Sequence, residues 1–222
     1  AFEPALYPTV YTRYEGLDLY NYSPCIYANG TKNIGITGEG TIDGNGNKDT
    51  FWMWTGEERW GYKGSGEELA IPSAINGLPV TAIANNAFSG QKELKKLSVP
   101  SSVLTIGNSA FSNCTALETV SLAEGVQTIG SSAFYTCAAL TAIVLPDSVT
   151  EIGSSCFYGC SSLQSATIGA GLIALPNYAF QSDTKLEKVV FDSKSSLNSV
   201  GNSAFYGCSN LVLDTLPASV LS

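Results

Sequence analysis

One spacing constrains this chain more than any other feature. Phe88, Phe111, Phe134, Phe157 and Phe180 follow one another at intervals of 23 residues, and Phe205 follows after 25. A register that survives five steps with one two-residue insertion is the mark of a stacked repeat, in which each unit covers the apolar faces of its neighbours and stability is shared between them. Each unit reads Ala-Phe, two variable residues, Cys, two variable residues, Leu, an apolar-x-apolar run, often Pro, then Val, two variable residues, Ile and Gly.

The columns of that unit predict the walls of a coil. Leu94, Leu117, Leu140, Leu163, Leu186 and Leu211 form one buried row. The run after each leucine alternates at period two, as a strand with one buried face does, so Leu97/Val99, Val120/Leu122, Ile143/Leu145, Ala166/Ile168 and Val189/Phe191 are expected to point inward. Val103/Ile106, Val126/Ile129, Val149/Ile152 and Leu172/Leu175 supply an opposite wall, and the phenylalanines fill the space between. The fold class expected is therefore a mainly β solenoid.

Two polar columns ask for a chemical role. Cys114, Cys137, Cys160 and Cys208 share one position, with Asp183 replacing the expected member after Phe180, while Cys156 stands in the alanine column and Cys25 lies outside the array. A 23-residue spacing is not that of zinc ligands, and side chains of one column point in parallel, which suits packing better than disulfide formation, so buried free thiols are expected. Asn85, Asn108, Ser131, Ser154, Asn177 and Asn202 precede the Ala-Phe pairs, and their side chains are expected to bond to nearby backbone and fix the turn of each coil.

Composition excludes several kinds of function. The chain has no histidine, which removes imidazole catalysis and most metal sites; no cofactor, metal or catalytic residue is expected. A net charge of −8, with only 11 lysines and arginines, argues against a general affinity for nucleic acid or anionic lipid. No apolar run reaches the ~18 residues of a membrane helix, so no membrane insertion is expected.

The first part of the chain has a different texture, rich in tyrosine and in glycine turns. Tyr22-Ser23-Pro24-Cys25-Ile26-Tyr27-Ala28, then Asn33 to Gly44 (sequence NIGITGEGTIDG), then Trp52-Met53-Trp54 resemble the early part of glycoside hydrolase family 28, the polygalacturonases. That resemblance implies the beginning of a right-handed parallel β-helix. The family's later catalytic motifs, N-T-D, D-D, G-H-G and R-I-K, do not occur here, so it carries over no catalytic residue. Three segments follow: residues 1–56 as a truncated β-helix-like module or N-terminal cap, 57–68 as a charged, glycine-rich junction, and 69–222 as the solenoid.

The repeat itself resembles the BspA-type leucine-rich repeat, with the columns above in six copies. The resemblance implies a secreted or cell-surface protein, non-catalytic, engaged in adhesion or protein–protein interaction with a protein partner or host surface ligand. The alternative attached to the first module is the binding or processing of pectic polysaccharide.

A partner would meet the outward positions of the strands, above all Lys96, Ser98, Thr119, Ser121, Val144, Thr167 and Lys188, which are mostly small and uncharged. Tyr135, Tyr158 and Tyr206 each follow a column phenylalanine and form either an aromatic docking stripe or a cover over the hydrophobic wall. The run from Leu213 to Pro217 begins a further strand and turn, and the exposed strand edge expected there predicts end-to-end self-association.

Overall fold

The computed structural model describes residues 67–75, 78–213 and 216–220, together with the strands Arg13–Tyr14, Leu17–Asp18 and Gly40–Ile42. The array is a parallel β-solenoid. We number its coils one to six by their phenylalanines, from Phe88 to Phe205.

Each of the first five coils contributes a long strand to one wall. Lys96–Val99, Thr119–Leu122, Ala142–Leu145, Ser165–Ile168 and Lys188–Phe191 pair in parallel, with Glu68–Ala70 added before them. Register follows the repeat: Leu97 lies opposite Val120, Ile143 opposite Ala166, and Ala166 opposite Val189. The alternation read from the sequence is the reason, because a one-residue slip would turn every inward side chain of a strand to solvent. Leu97, Val99, Ile143, Leu145, Ala166 and Ile168 are buried, while Lys96, Ser98, Ala142 and Val144 are exposed.

The opposite wall is built from shorter strands. Leu78–Ile83, Thr105–Ile106, Thr128–Ile129 and Glu151–Ile152 form a parallel ladder, and Ala74–Ile75 folds back on the first of them. Ala174–Leu175 and Ser199–Val200 pair only with each other, so this wall is interrupted between the fourth and fifth coils. Gly40–Ile42 pairs in parallel with Leu78–Ile83, with a register shift between Gly40 and Thr41. Arg13–Tyr14 and Leu17–Asp18 make an antiparallel pair. Ile34 and Ile36 alternate with small or polar residues as one face of a strand does, and they lie outside the described residues.

Between the walls run the six phenylalanines. Their rings stack nearly parallel, with centroids 5.2 to 5.7 Å apart and interplanar angles of 3 to 9°. Phe111, Phe134, Phe157 and Phe180 are fully buried, each ring contributing about 2–3 kcal/mol by removal from water. The leucine column and the Val/Ile pairs close around them, so one apolar core runs the length of the array.

The phenylalanine turns hold a feature that the sequence pattern did not reveal. Asn86, Ser109, Ser132, Ser155, Tyr178 and Ser203, each just before the Ala-Phe step, have φ between 53 and 62°. Two residues after each phenylalanine, Gly90, Asn113, Thr136, Gly159, Ser182 and Gly207 have φ between 53 and 81°. Two left-handed residues per coil turn alternate N–H groups of one coil toward the next: those of Phe111 and Asn113 donate to the carbonyls of Ala133 and Tyr135 at 2.8 and 2.7 Å. Glycine and asparagine enter this region most cheaply, whereas the serines, Thr136 and Tyr178 adopt it at a cost that the hydrogen bonds between coils offset.

Candidate interaction surface

The outer face of the long-strand wall is a regular grid. Its outward residues stand two apart along each strand, ~7 Å, and one coil apart across strands, ~4.8 Å. Lys96, Ser98, Thr119, Ser121, Val144 and Lys188 are exposed, Val144 to 58%, and Thr167 is half-buried. The structure thus brings these seven residues onto one face. The middle of the grid carries no charge, while the Lys96 ammonium is paired with Glu68 and the neighbouring Lys95 with Glu67 at 2.9 Å. The Glu68 hydrogen bond, aided by its charge, raises the pKa of Lys96 above its ordinary value, and Glu67 does the same for Lys95. Both pairs are solvent-exposed and so contribute little to stability.

The tyrosines do not make a continuous stripe. Tyr135 and Tyr158 are half-buried and stack on each other at 4.9 Å and 11°. Gln181 takes the same position in the fifth coil, and Tyr206, in the sixth, is 70% exposed. The inner two rings cover the corner of the coil; of these three tyrosines only Tyr206 is freely presented.

The cysteine column is structural. Cys114, Cys137, Cys156, Cys160 and Cys208 are all free thiols. Those of Cys114, Cys137, Cys160 and Cys208 donate to the carbonyls of Phe88, Phe111, Phe134 and Phe180, one coil back, at 3.1, 3.3, 3.3 and 2.9 Å. Burial pushes the pKa of Cys114 up to about 12 and that of half-buried Cys208 to about 11, and raises those of Cys137, Cys156 and Cys160 further. A thiolate is therefore disfavoured at every one of these positions, and with it nucleophilic chemistry.

The asparagine column bonds more widely than a local turn requires. Asn85 Oδ1 accepts from the Asn108 N–H at 2.7 Å, Asn108 Oδ1 from that of Ser131 at 2.8 Å, and Asn177 Oδ1 from that of Asn202 at 2.7 Å. The amides bind one coil to the next. Sequence spacing identified the residues but not this partner, because a column is visible in sequence and the contact between its members is not.

Beside Lys188–Phe191 lies an open cavity of about 440 Å³, lined also by Val212 and by residues 216–219. Among the described residues, no group of three or more metal-ligating side chains occurs, and no helix is long and apolar enough to cross a membrane.

With the coil geometry defined, comparison with known proteins decides the family. The model of the BspA type leucine rich repeat region matches residues 81–212 in six copies. The chain belongs to this family. The array is similar to the crystal structure of a leucine rich repeat protein from T. pallidum, with 30% identity and a TM-score of 0.52, over 72% of this chain and 89% of that one. It is also similar to a leucine rich cell surface protein from Faecalibacterium prausnitzii, with 28% identity and a TM-score of 0.57, over 71% of this chain and 50% of that one. No curated protein matches the chain. The glycoside hydrolase resemblance of residues 1–56 finds no support in these comparisons.

Proposed function

We propose that this BspA-type protein acts outside the cell or at its surface, without catalysis, and binds a protein partner on the outer face of its long-strand wall. The observation that carries this reading is the grid of Ser98, Thr119, Ser121, Val144 and Thr167: a broad, uncharged, regularly spaced surface whose backing side chains are locked in the core. Such a surface needs few ordering costs on binding because its side chains are short. The description of the Faecalibacterium relative as a cell surface protein supports the location.

The test is binding of the full chain to immobilised collagen, laminin and fibronectin, compared with a Thr119→Arg/Val144→Arg variant. Saturable binding weakened at least tenfold in the variant, with unchanged circular dichroism, is the expected result. Absence of binding to all three proteins, or equal binding by the variant, would count against this face.

We also assign residues 1–56 the role of an N-terminal cap, supported by the pairing of Gly40–Ile42 with the first short strand. Deleting residues 1–56 should lower the melting temperature of the array; an unchanged temperature refutes the cap. Lys188–Phe191 has a strand partner on one side only among the described residues, which favours end-to-end association. Light scattering should show a mass that rises with concentration, and a constant monomer mass at high concentration would exclude it.

A further inference from the structure

The contacts between successive coils repeat so regularly that the one irregular junction stands out. At four junctions the glycine that follows the short strand donates its N–H to the coil before. Gly107, Gly130 and Gly153 reach the carbonyls of Ile83, Ile106 and Ile129 at 2.8 Å, and Gly201 reaches that of Leu175 at 2.7 Å. The fifth coil has Pro176 in this column, which has no N–H to offer to Ile152. The neighbouring bond, Ile173 N–H to Thr150 carbonyl, is stretched to 3.5 Å, against 2.8 Å for the equivalent Leu104-to-Thr81 and Gln127-to-Leu104 bonds. The short-strand ladder ends at this point.

An independent substitution falls at the same junction. Asp183 holds the cysteine position of the fifth coil, facing the fourth, and is completely buried. Neither carboxyl oxygen has a hydrogen-bond donor. Burial outweighs the nearby backbone N–H groups of Cys160 and Gly159, which favour the charged form and whose hydrogen bonds go to the Phe157 carbonyl at 3.3 Å and the Gln181 carbonyl at 2.9 Å. The titratable groups that face Asp183 are the thiols of Cys160 and Cys208, on the coils on either side. No cation approaches it among the described residues. In the second, third, fourth and sixth coils the cysteine at this position donates to the phenylalanine carbonyl one coil back, which for Asp183 is that of Phe157.

We propose that the solenoid carries a hinge between its fourth and fifth coils, open to parting on the short-strand side and held shut by Asp183 as the uncharged acid, whose O–H donates to the Phe157 carbonyl. The long-strand wall forms the hinge line, since Ser165–Ile168 and Lys188–Phe191 keep four paired residues across the junction. Burial pushes the Asp183 pKa up to about 9, whereas a carboxyl exposed to water by opening has a pKa of about 4. Each opening between those limits releases one proton. The closing contribution of Asp183 is therefore complete below about pH 4, falls as pH rises, and is gone above about pH 9.

Hydrogen exchange of the full chain, followed by mass spectrometry and corrected for the intrinsic rate, tests the hinge. Amides around 155–159 and 173–175 should exchange faster than their counterparts around 109–113 and 127–129, and the opening constant should rise roughly 100-fold between pH 6 and pH 8. Asp183→Cys should remove that pH response, and Pro176→Gly should slow opening at every pH. Equal protection at both junctions overturns the hinge. A pH-independent opening in the unmodified chain, or the same pH response in Asp183→Cys, overturns the role of Asp183.

Discussion

Replacing Phe134 with alanine tests how the array shares its stability. The ring is fully buried and lies between Phe111 at 5.4 Å and Phe157 at 5.5 Å, so truncation leaves a gap that both neighbours flank. Losing the transfer energy of the ring costs about 2–3 kcal/mol and the cavity adds about 2, giving a total of about 4 kcal/mol. Phe205 occupies the same column in the last coil, but it is half-buried and, among the described residues, stacks on one side only, on Phe180 at 5.7 Å. Its truncation should cost about half as much. Urea denaturation followed by circular dichroism measures both values, and Phe134→Leu, which refills most of the space, should recover all but about 1–1.5 kcal/mol. If Phe205→Ala costs as much as Phe134→Ala, the neighbour-sharing argument fails, because depth in the stack would then not matter.

Three further predictions rest on single columns. A Cβ on Gly153 would stand 2.2 Å from the Ser131 nitrogen on the preceding coil, so Gly153→Ala should destabilise the array by roughly 3 kcal/mol or more in the same urea assay, since backbone must move. Thr136 is β-branched at φ 53°, where the equivalent Asn113 sits at 60°; Thr136→Asn should raise the unfolding free energy by about 0.5–1 kcal/mol. In a Cys25→Ser background, a thiol reagent applied to the folded protein should modify Cys208 first. The thiols of Cys114, Cys137, Cys156 and Cys160 should react only in denaturant, because they are buried and held protonated.

The sequence by itself determined the coil. A 23-residue register, a period-two strand and a phenylalanine in every unit leave few other ways to bury so many apolar side chains, and the inward and outward positions of the long strands follow from alternation alone. It also placed the candidate face, since Lys96, Ser98, Thr119, Ser121, Val144, Thr167 and Lys188 are the residues that alternation leaves outside. What only the tertiary structure decided is how the coils touch. The asparagine amides, thiols and left-handed turn residues act on partners 22 to 28 residues away, as Asn108 with Ser131 and Cys208 with Phe180 show. Pro176 and Asp183 look like ordinary substitutions in a repeat; only the stacking shows that both fall on one junction, where a missing N–H and a buried carboxyl face the same neighbour. The physical reason is that a column repeats in sequence, whereas a hydrogen bond between coils depends on the distance and direction of two groups.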